Sequence, residues 1–411
     1  MQGERTKRFV LPQIAPSVAA GTYEPCTFDY ELALPDADKT PGRKAWTDIF
    51  RRAIPQFEKR ARLQLIQDAS TEEEERAAPS QAASFAKEYG AILDKLEIDP
   101  DTVIPGYEAD FWRAGGRKGL SCKVMCALRE TCLARLGLRD AFRQVKRKEN
   151  GESLQVLGHI VAEIEALESP EDRMALALRG CFAGNLFDLG AHFSSQKYDA
   201  AEEGRKKGGG AGAEEDSFAS FKATRENLPA RPWLVDCLDS AVAALSSGKF
   251  KKAIVFVDNA GSDLICGIFP FCRELLKAGT SVVLAANEKP AINDVTADEL
   301  LALFTRIEGA PRVRDPLLLR SAESGRLRVV NSGSDQPIID LSAISADLAD
   351  EAADADLVVL QGMGRAIESN LNASFASAVL KMGVVKHPEV ALCLGGTLGD
   401  PICKFEDKAT E

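Results

Sequence analysis

KKAIVFVDNAGSDLICGIFPFCRELLKAGTSVVLAANEKPAINDVTADE, residues 251–299, decides the fold. Ala253–Val257 is an apolar run rich in β-branched residues, the composition of a strand buried on both faces of a parallel sheet. It stops at Asp258-Asn259, with Gly261 close behind. Residues 264–277 carry a mostly apolar helical pattern, which Gly279 is placed to end. A second apolar run, Val282–Ala286, stops at Asn287, and Asn293-Asp294 follow. Strand, loop, helix, strand and loop make one βαβ unit. Ligands of open α/β sheets bind beyond the carboxyl ends of the strands. Asp258, Asn259, Asn287, Asn293 and Asp294 all fall at such ends.

Two carboxylates and an amide oxygen are hard ligands. They suit magnesium or manganese and leave coordination positions for water and a phosphate. Asp and Asn after a strand are also ordinary turn and N-cap residues. Two such ends in one βαβ unit, with no basic residue between Phe256 and Ile265, weigh against that simpler reading.

The 411-residue chain is long enough for a large core and for two or three domains. A formal net charge of −11 argues against nonspecific binding to nucleic acid or anionic membranes. It leaves room for an anionic substrate, because a metal and a few basic residues reverse the local field. Ten cysteines without a CxxC, beside three histidines, read as reduced, buried thiols rather than a zinc site. No signal peptide and no run of about 20 apolar residues is legible, so the expectation is a cytoplasmic protein. Oligomeric state is left open.

Residues 1–45 read as an extended arm lying on the body. Residues 46–69 place Trp46, Ile49, Phe50, Ile54 and Phe57 on one helical face, with Pro55 expected to break or kink it. Ser70-Thr71 before four glutamates reads as an N-cap with an acidic first turn. Helical patterns follow over 81–98, 119–149 and 153–191. The basic cluster Arg143, Lys146, Arg147 and Lys148 lacks aromatic interleaving and reads as a solvated helix end. Residues 199–216 are Gly-rich and read as a flexible surface loop. A helix is expected to start at Arg231-Pro232-Trp233. No strand signal competes before residue 250.

Beyond 299, strands are expected at 326–330 and 355–360, a helix at Asn370–Lys381, and short strands at Val384-Val385 and Val390–Leu394. The fold class is therefore α/β: a helical N-terminal half, then a doubly wound, largely parallel sheet with flanking helices. Residues 1–250 would form the arm and helical region, and 251–411 the domain that binds metal and phosphate. No GxGxxG follows the first strand and no GxxxxGK[ST] occurs, which disfavours dinucleotide and P-loop sites.

Three segments carry a more specific signal: the 251–299 block, RGCFAGNLFDLGA (179–191) and QGMGRAIESNLNA (361–373). Together they resemble the metal-dependent damage-control phosphatases, long catalogued as a domain of unknown function. The likeness runs from about Cys26 to Phe405. It is to the eukaryotic branch that occurs alone or behind a pantothenate kinase-like domain. No kinase domain precedes it here, so the stand-alone form is expected.

The resemblance implies that Asp258, Asn259 and Asp294 are at once metal ligands and catalytic residues. The metal would be divalent, Mn2+ or Ni2+ foremost, with Co2+ or Mg2+ as alternatives. It would bind phosphate oxygens and acidify a water that attacks phosphorus, in a reaction that needs mostly positioning and charge neutralisation. The family's GMGR motif falls on Gly362–Arg365, where Gly364 would let the backbone approach a phosphate and Arg365 would grip it bidentately. The family motif opens with Glu, whereas this chain has Gln361. Position 361 is left open between acid–base work and hydrogen bonding.

Lys386, in VVKHPEVA, either meets a substrate phosphate as a point charge or is a surface lysine. Asn185 and Asp188 are implied substrate contacts or supports. The implied activity is phosphomonoester hydrolysis of small phosphorylated metabolites, either sugar phosphates or 4′-phosphopantetheine and its damaged derivatives. The biological role would be metabolite damage control. The alternatives are a noncatalytic metal- or ligand-binding or scaffold protein, prompted by Gln361, and a methyltransferase, disfavoured by the missing Gly-rich loop. No Ser-His-Asp set is legible. Asp263 lies too far past Asp258 for aspartyl-phosphate chemistry of the DxD type.

Overall fold

The computed structural model describes residues 8–35, 42–102, 104, 120–138, 140–186, 213–305 and 311–408. The first half is helical. Helix α1 (Gly42–Asp68) runs on through Pro55, so the expected break is absent. Burial of Trp46, Ile49, Phe50 and Phe57 along one face, packed against α2 (Glu72–Ile98), outweighs the one backbone hydrogen bond that proline removes. A buried aromatic side chain contributes a few kcal/mol. The N-cap expected at Ser70-Thr71 is present, and it goes further than expected: Thr71 and Glu74 cap α2 reciprocally as a capping box. The arm does lie on the body. Tyr30 stacks on Trp46 with centroids 4.2 Å apart, and Phe9 pairs with Ile344.

Helices α3 (Cys122–Arg135), α4 (Arg143–Glu165), α5 (Pro170–Leu186) and α6 (Ala213–Glu226) follow. The patterns over 119–149 and 153–191 thus divide at 136–142 and 166–169. Of the Gly-rich stretch, residues 199–212 lie outside the described residues, and 213–216 begin α6 rather than extend a loop. Lys146 is not on a solvated helix end. It is 1% exposed and ion-paired to Asp140 and Glu299.

Strand β1 (Val235–Asp236) precedes residue 250, against expectation, and helix α7 (Leu238–Ser246) starts after it rather than at Arg231. Two residues are too few to show a period. The strand exists because it adds, parallel, to the last strand of the chain. There follow β2 (Lys252–Phe256), a π-helical turn Asp263–Ile268 continuing into α8 (Phe269–Lys277), and β3 (Ser281–Ala286). Next come α9 (Ala297–Phe304), α10 (Pro316–Glu323), β4 (Leu327–Asn331), α11 (Ala346–Ala352) and β5 (Leu357–Gln361). A second π-helical turn, Met363–Glu368, leads to β6 (Ala378–Val384), α12 (Pro388–Leu394) and β7 (Pro401–Glu406).

Two expectations fail at this end. Asn370–Lys381 is not a helix. Asn370 sits at φ +64, which ends helical geometry, and 378–384 is a central strand buried throughout. A fully buried strand loses the period-2 signature and reads as an apolar helix. Val390–Leu394 is helical, begun by Pro388 in the first turn, where its missing N–H costs nothing.

Among the described residues, seven strands lie in the order β1-β7-β6-β5-β2-β3-β4. All pairs are parallel except β6–β7. From β2 the chain winds outward to β3 and β4, then returns to place β5 on the other side of β2. The strand order reverses between β2 and β5, and there the loops at the carboxyl edge part to leave a crevice. Alternate β2 residues feed two cores. Ile254 and Phe256 pack with the arm, α1 to α3 and α11; Ala253, Val255 and Val257 pack with α4, α5, α7 and α8. Both cores join residues from either side of 250.

Candidate functional site

The loops after β2 and β3 are held together by backbone pairing before any side chain is considered. Asn259 bridges Asp294, the Val295 N–H donates to the Asp258 carbonyl at 3.0 Å, and the Ala260 N–H to the Asn293 carbonyl at 3.0 Å. Asp258 and Asp294, far apart in sequence, therefore meet at one edge of the crevice. The β3 loop turns at Ile292, a β-branched residue at φ +50, a conformation that costs about 1–3 kcal/mol.

From the other side β5 brings Gln361 and Gly362. The Gln361 Oε1 accepts the Asp258 N–H at 3.1 Å. Gly362 has φ +102, and a Cβ there would fall 2.0 Å from the Asp258 Oδ2, so only glycine lets β5 approach this closely.

Asp258, Asp263 and Asp294 are 6%, 1% and 1% exposed. Asp263 accepts from the Nδ2 of Asn185 and of Asn259, each at 3.0 Å, and from the Nε2 of Gln361. Asn259 Nδ2 also donates to the Asp258 Oδ2 at 2.8 Å. Asn287 Nδ2 donates to the Asp294 Oδ2 at 3.1 Å. Arg365 lies across the two ligand candidates. Its Nη1 pairs with the Asp258 Oδ1, and its Nη2 with the Asp294 Oδ2 at 2.9 Å and the Asn287 Oδ1 at 3.0 Å. Burial works against its charge, but Asp294 and Asp258 more than offset that and hold it above the usual arginine range.

Among the described residues, three buried carboxylates thus gather around one buried guanidinium, that of Arg365. The set carries a formal excess of two negative charges, and isolated buried charge is costly. Its donors are hard oxygens. Both facts fit a divalent cation. No cluster of three His, Cys, Asp or Glu with metal-ligand geometry occurs among the described residues, so a cation would draw on the amide of Asn259 as well.

Asp258 and Asp294 open onto a cavity of about 480 Å3. One wall is α1, with Ile49, Phe50 and Phe57. Lys386, Arg129 and Arg52 bring positive charge to it, Gly364 brings backbone, and Glu368 and Glu389 bring carboxylates. Arg129 stacks over the Phe57 ring at 4.7 Å and pairs with Glu130 at 2.8 Å, while Arg52 pairs with Glu389. Glu368 is pushed up to about 7, first by burial and next by Cys26, against the lowering effect of Arg129 and Lys386.

Of the residues singled out in the sequence, Asp258, Asn259, Asp294, Gly364 and Lys386 share this cavity wall. Lys386, 6% exposed, is not a surface lysine. Arg365 is drawn onto the carboxylates behind the wall. Asn185, 1% exposed, ties α5 to Asp263 and, through its Oδ1, to the Val384 N–H at 3.1 Å. Asp188 lies outside the described residues. Sequence reasoning missed Asp263, Glu368 and Arg129 as members of the site. Asp263 was visible as the residue that opens the helical pattern after β2, four positions past Asn259. Glu368 follows Arg365 by three positions, and Arg129 gave no signal.

The fold and this edge define a class: doubly wound α/β proteins with an acidic crevice at the switch point of the sheet. The chain belongs to the damage-control phosphatase family, since the ARMT1-like damage-control phosphatase domain matches residues 43–402. It is 39% identical over 399 residues to the damage-control phosphatase At2g17340 of Arabidopsis thaliana, covering 97% of each chain. It is 33% identical to pantothenate kinase 2 of the same plant, over 94% of this chain and 40% of that one. With the 4′-phosphopantetheine phosphatase of Mus musculus the identity is 30%, over 93% of this chain and 48% of that one. A DUF89 family protein of Pyrococcus horikoshii shares the fold at a TM-score of 0.53 and 15% identity, over 86% of this chain and 96% of that one. Among the described residues no helix is long and apolar enough to cross a membrane.

Proposed function

We propose that the chain is a metal-dependent phosphomonoesterase acting on small phosphorylated metabolites. The observation that carries this reading is the gathering of buried carboxylates at the switch point: Asp258, Asp263 and Asp294 around the guanidinium of Arg365, beside a cavity bearing Lys386 and Arg129. Asp258, Asn259 and Asp294 would hold the cation, with Mn2+ or Ni2+ the first candidates and Co2+ or Mg2+ the next. A divalent cation bound there offsets the charge of phosphate oxygens and acidifies a water.

The chain's own residues supply the rest. Arg365 holds Asp258 and Asp294 in fixed positions and limits their mutual repulsion. Asp263 fixes the amide of Asn259. Lys386 meets the phosphate as a point charge, and Gly364 lets backbone approach it. The apolar α1 wall excludes water and suits a substrate with an apolar arm, in keeping with the name of the mouse relative. Sugar phosphates and 4′-phosphopantetheine with its damaged forms are the substrate classes proposed, and removal of abnormal metabolites is the proposed role.

The test is hydrolysis of a panel of phosphate monoesters by protein stripped with chelator and then titrated with Mn2+. Metal-dependent release of phosphate is expected. Binding of Mn2+ without turnover of any ester would favour a noncatalytic ligand-binding protein, the reading that Gln361 prompts.

A further inference from the structure

Four carboxylates line the cavity: Asp258, Asp294, Glu368 and Glu389. Asp258 and Asp294 pair with Arg365 and are the proposed cation ligands, and Glu389 pairs with Arg52. Glu368 makes no ion pair among the described residues. Its position is nevertheless fixed, because its backbone carbonyl accepts the Thr27 N–H of the arm at 2.9 Å and the neighbouring Cys26 bridges Ser369. It ends the π-helical turn that also carries Gly364 and Arg365, so its carboxyl stands in the same cavity as the proposed phosphate groups.

We propose that Glu368 is the proton donor to the leaving oxygen of the phosphate ester. The inference rests on the phosphatase reading and adds to it a residue and a role. As water forms its bond to phosphorus, the bond from phosphorus to the ester oxygen breaks. The Glu368 O–H proton passes to that oxygen, giving the free alcohol. One proton of the attacking water stays on the oxygen now bound to phosphorus and the other passes to solvent, from which Glu368 regains its own. A donor of this kind needs a carboxyl that is still protonated near neutrality. The groups facing it are Cys26 and Tyr30 of the arm, Cys122, Cys126 and Arg129 of α3, and Asp258 and Lys386 at the strand ends. In the metal-free chain burial first, and Cys26 next, hold its carboxyl above the ordinary carboxyl range. Gln361, which stands where the family motif has Glu, cannot give a proton and is spent on Asp258 and Asp263.

The experiment compares two esters of similar shape, phenyl phosphate and p-nitrophenyl phosphate, in the Mn2+-loaded full chain. Nitrophenolate leaves readily without a proton and phenolate does not. Glu368→Gln should lower kcat/KM on phenyl phosphate by about a hundredfold, and on p-nitrophenyl phosphate by at least about tenfold less. Glu368→Asp should restore part of the phenyl phosphate rate. An equal loss on both esters, or no loss on phenyl phosphate, would overturn the assignment while leaving the phosphatase reading intact. A wild-type protein inactive on both esters would overturn that reading and this inference with it.

Discussion

Asp294→Ala tests the metal centre most directly. The substitution removes a carboxylate that is 1% exposed and takes the buried set from two excess negative charges to one. Arg365 loses its 2.9 Å partner but keeps Asp258, the Asn287 Oδ1 at 3.0 Å and the Pro337 carbonyl at 3.2 Å, so no cation is orphaned. The loss of one attraction and the relief of one repulsion act in opposite directions. The metal-free thermal midpoint should therefore move little. The metal response should change a great deal. At a hundred times its dissociation constant a cation stabilises the native state by about 2.7 kcal/mol. An unfolding entropy of about 2.1 cal/mol/K per residue over a chain of this length turns that into a rise of roughly 3 °C in the wild-type midpoint. The variant should lose that rise. It should also lose at least about a hundredfold in kcat/KM, on the order of 3 kcal/mol of transition-state stabilisation. The assays are hydrolysis rate against Mn2+ concentration and scanning calorimetry with and without the metal. A variant that keeps the wild-type rate and the full metal-induced rise would refute the ligand assignment.

Other substitutions probe the frame around that centre. Gly362→Ala must move Asp258 or β5, because its Cβ would stand 2.0 Å from a carboxylate oxygen. A stability loss of about 2 kcal/mol or more in urea titration should accompany near-complete loss of activity. Arg365→Met removes the buried guanidinium that pairs with both Asp258 and Asp294. It should destabilise the metal-free protein by about 3–5 kcal/mol, and Mn2+ should recover more of the midpoint in the variant than in wild type. Lys386→Met should raise KM for phosphate esters about tenfold or more without changing the metal-free midpoint by more than a few degrees.

The stability of the chelated protein should also report Glu368. Its folded value of about 7 lies above its ordinary 4.5, so the native state holds a proton the unfolded chain gives up. Its contribution is present below about pH 4.5 and is lost as pH rises through about 7, a fall of roughly 1–3 kcal/mol. Glu368→Gln should remove that component of the pH dependence, measured by urea titration across the window.

The local pattern of this chain was written plainly in its sequence. Ala253–Val257 and Val282–Ala286 read as buried strands because their composition is apolar and β-branched, and Asp258-Asn259 and Asn287 mark the carboxyl ends where ligands of an open sheet bind; the ligand set itself was implied by the family resemblance. The N-cap at Ser70-Thr71 needed only the adjacent run of glutamates to be legible. What escaped depends on neighbours that are remote along the chain. Gln361 and Asp258 are 103 positions apart and meet only because β5 returns beside β2. That strand order, chosen by packing of the two cores, decides that Arg365 turns onto Asp258 and Asp294, that Asp263 gathers three amides, and that α1 closes the cavity holding Glu368. It also makes 378–384 a central strand, where burial on both faces erases the alternation that would have marked it. Periodicity and turn chemistry are properties of adjacent residues and survive in one dimension. The juxtaposition of charges at the switch point is a property of the folded sheet, and only the tertiary structure decided it.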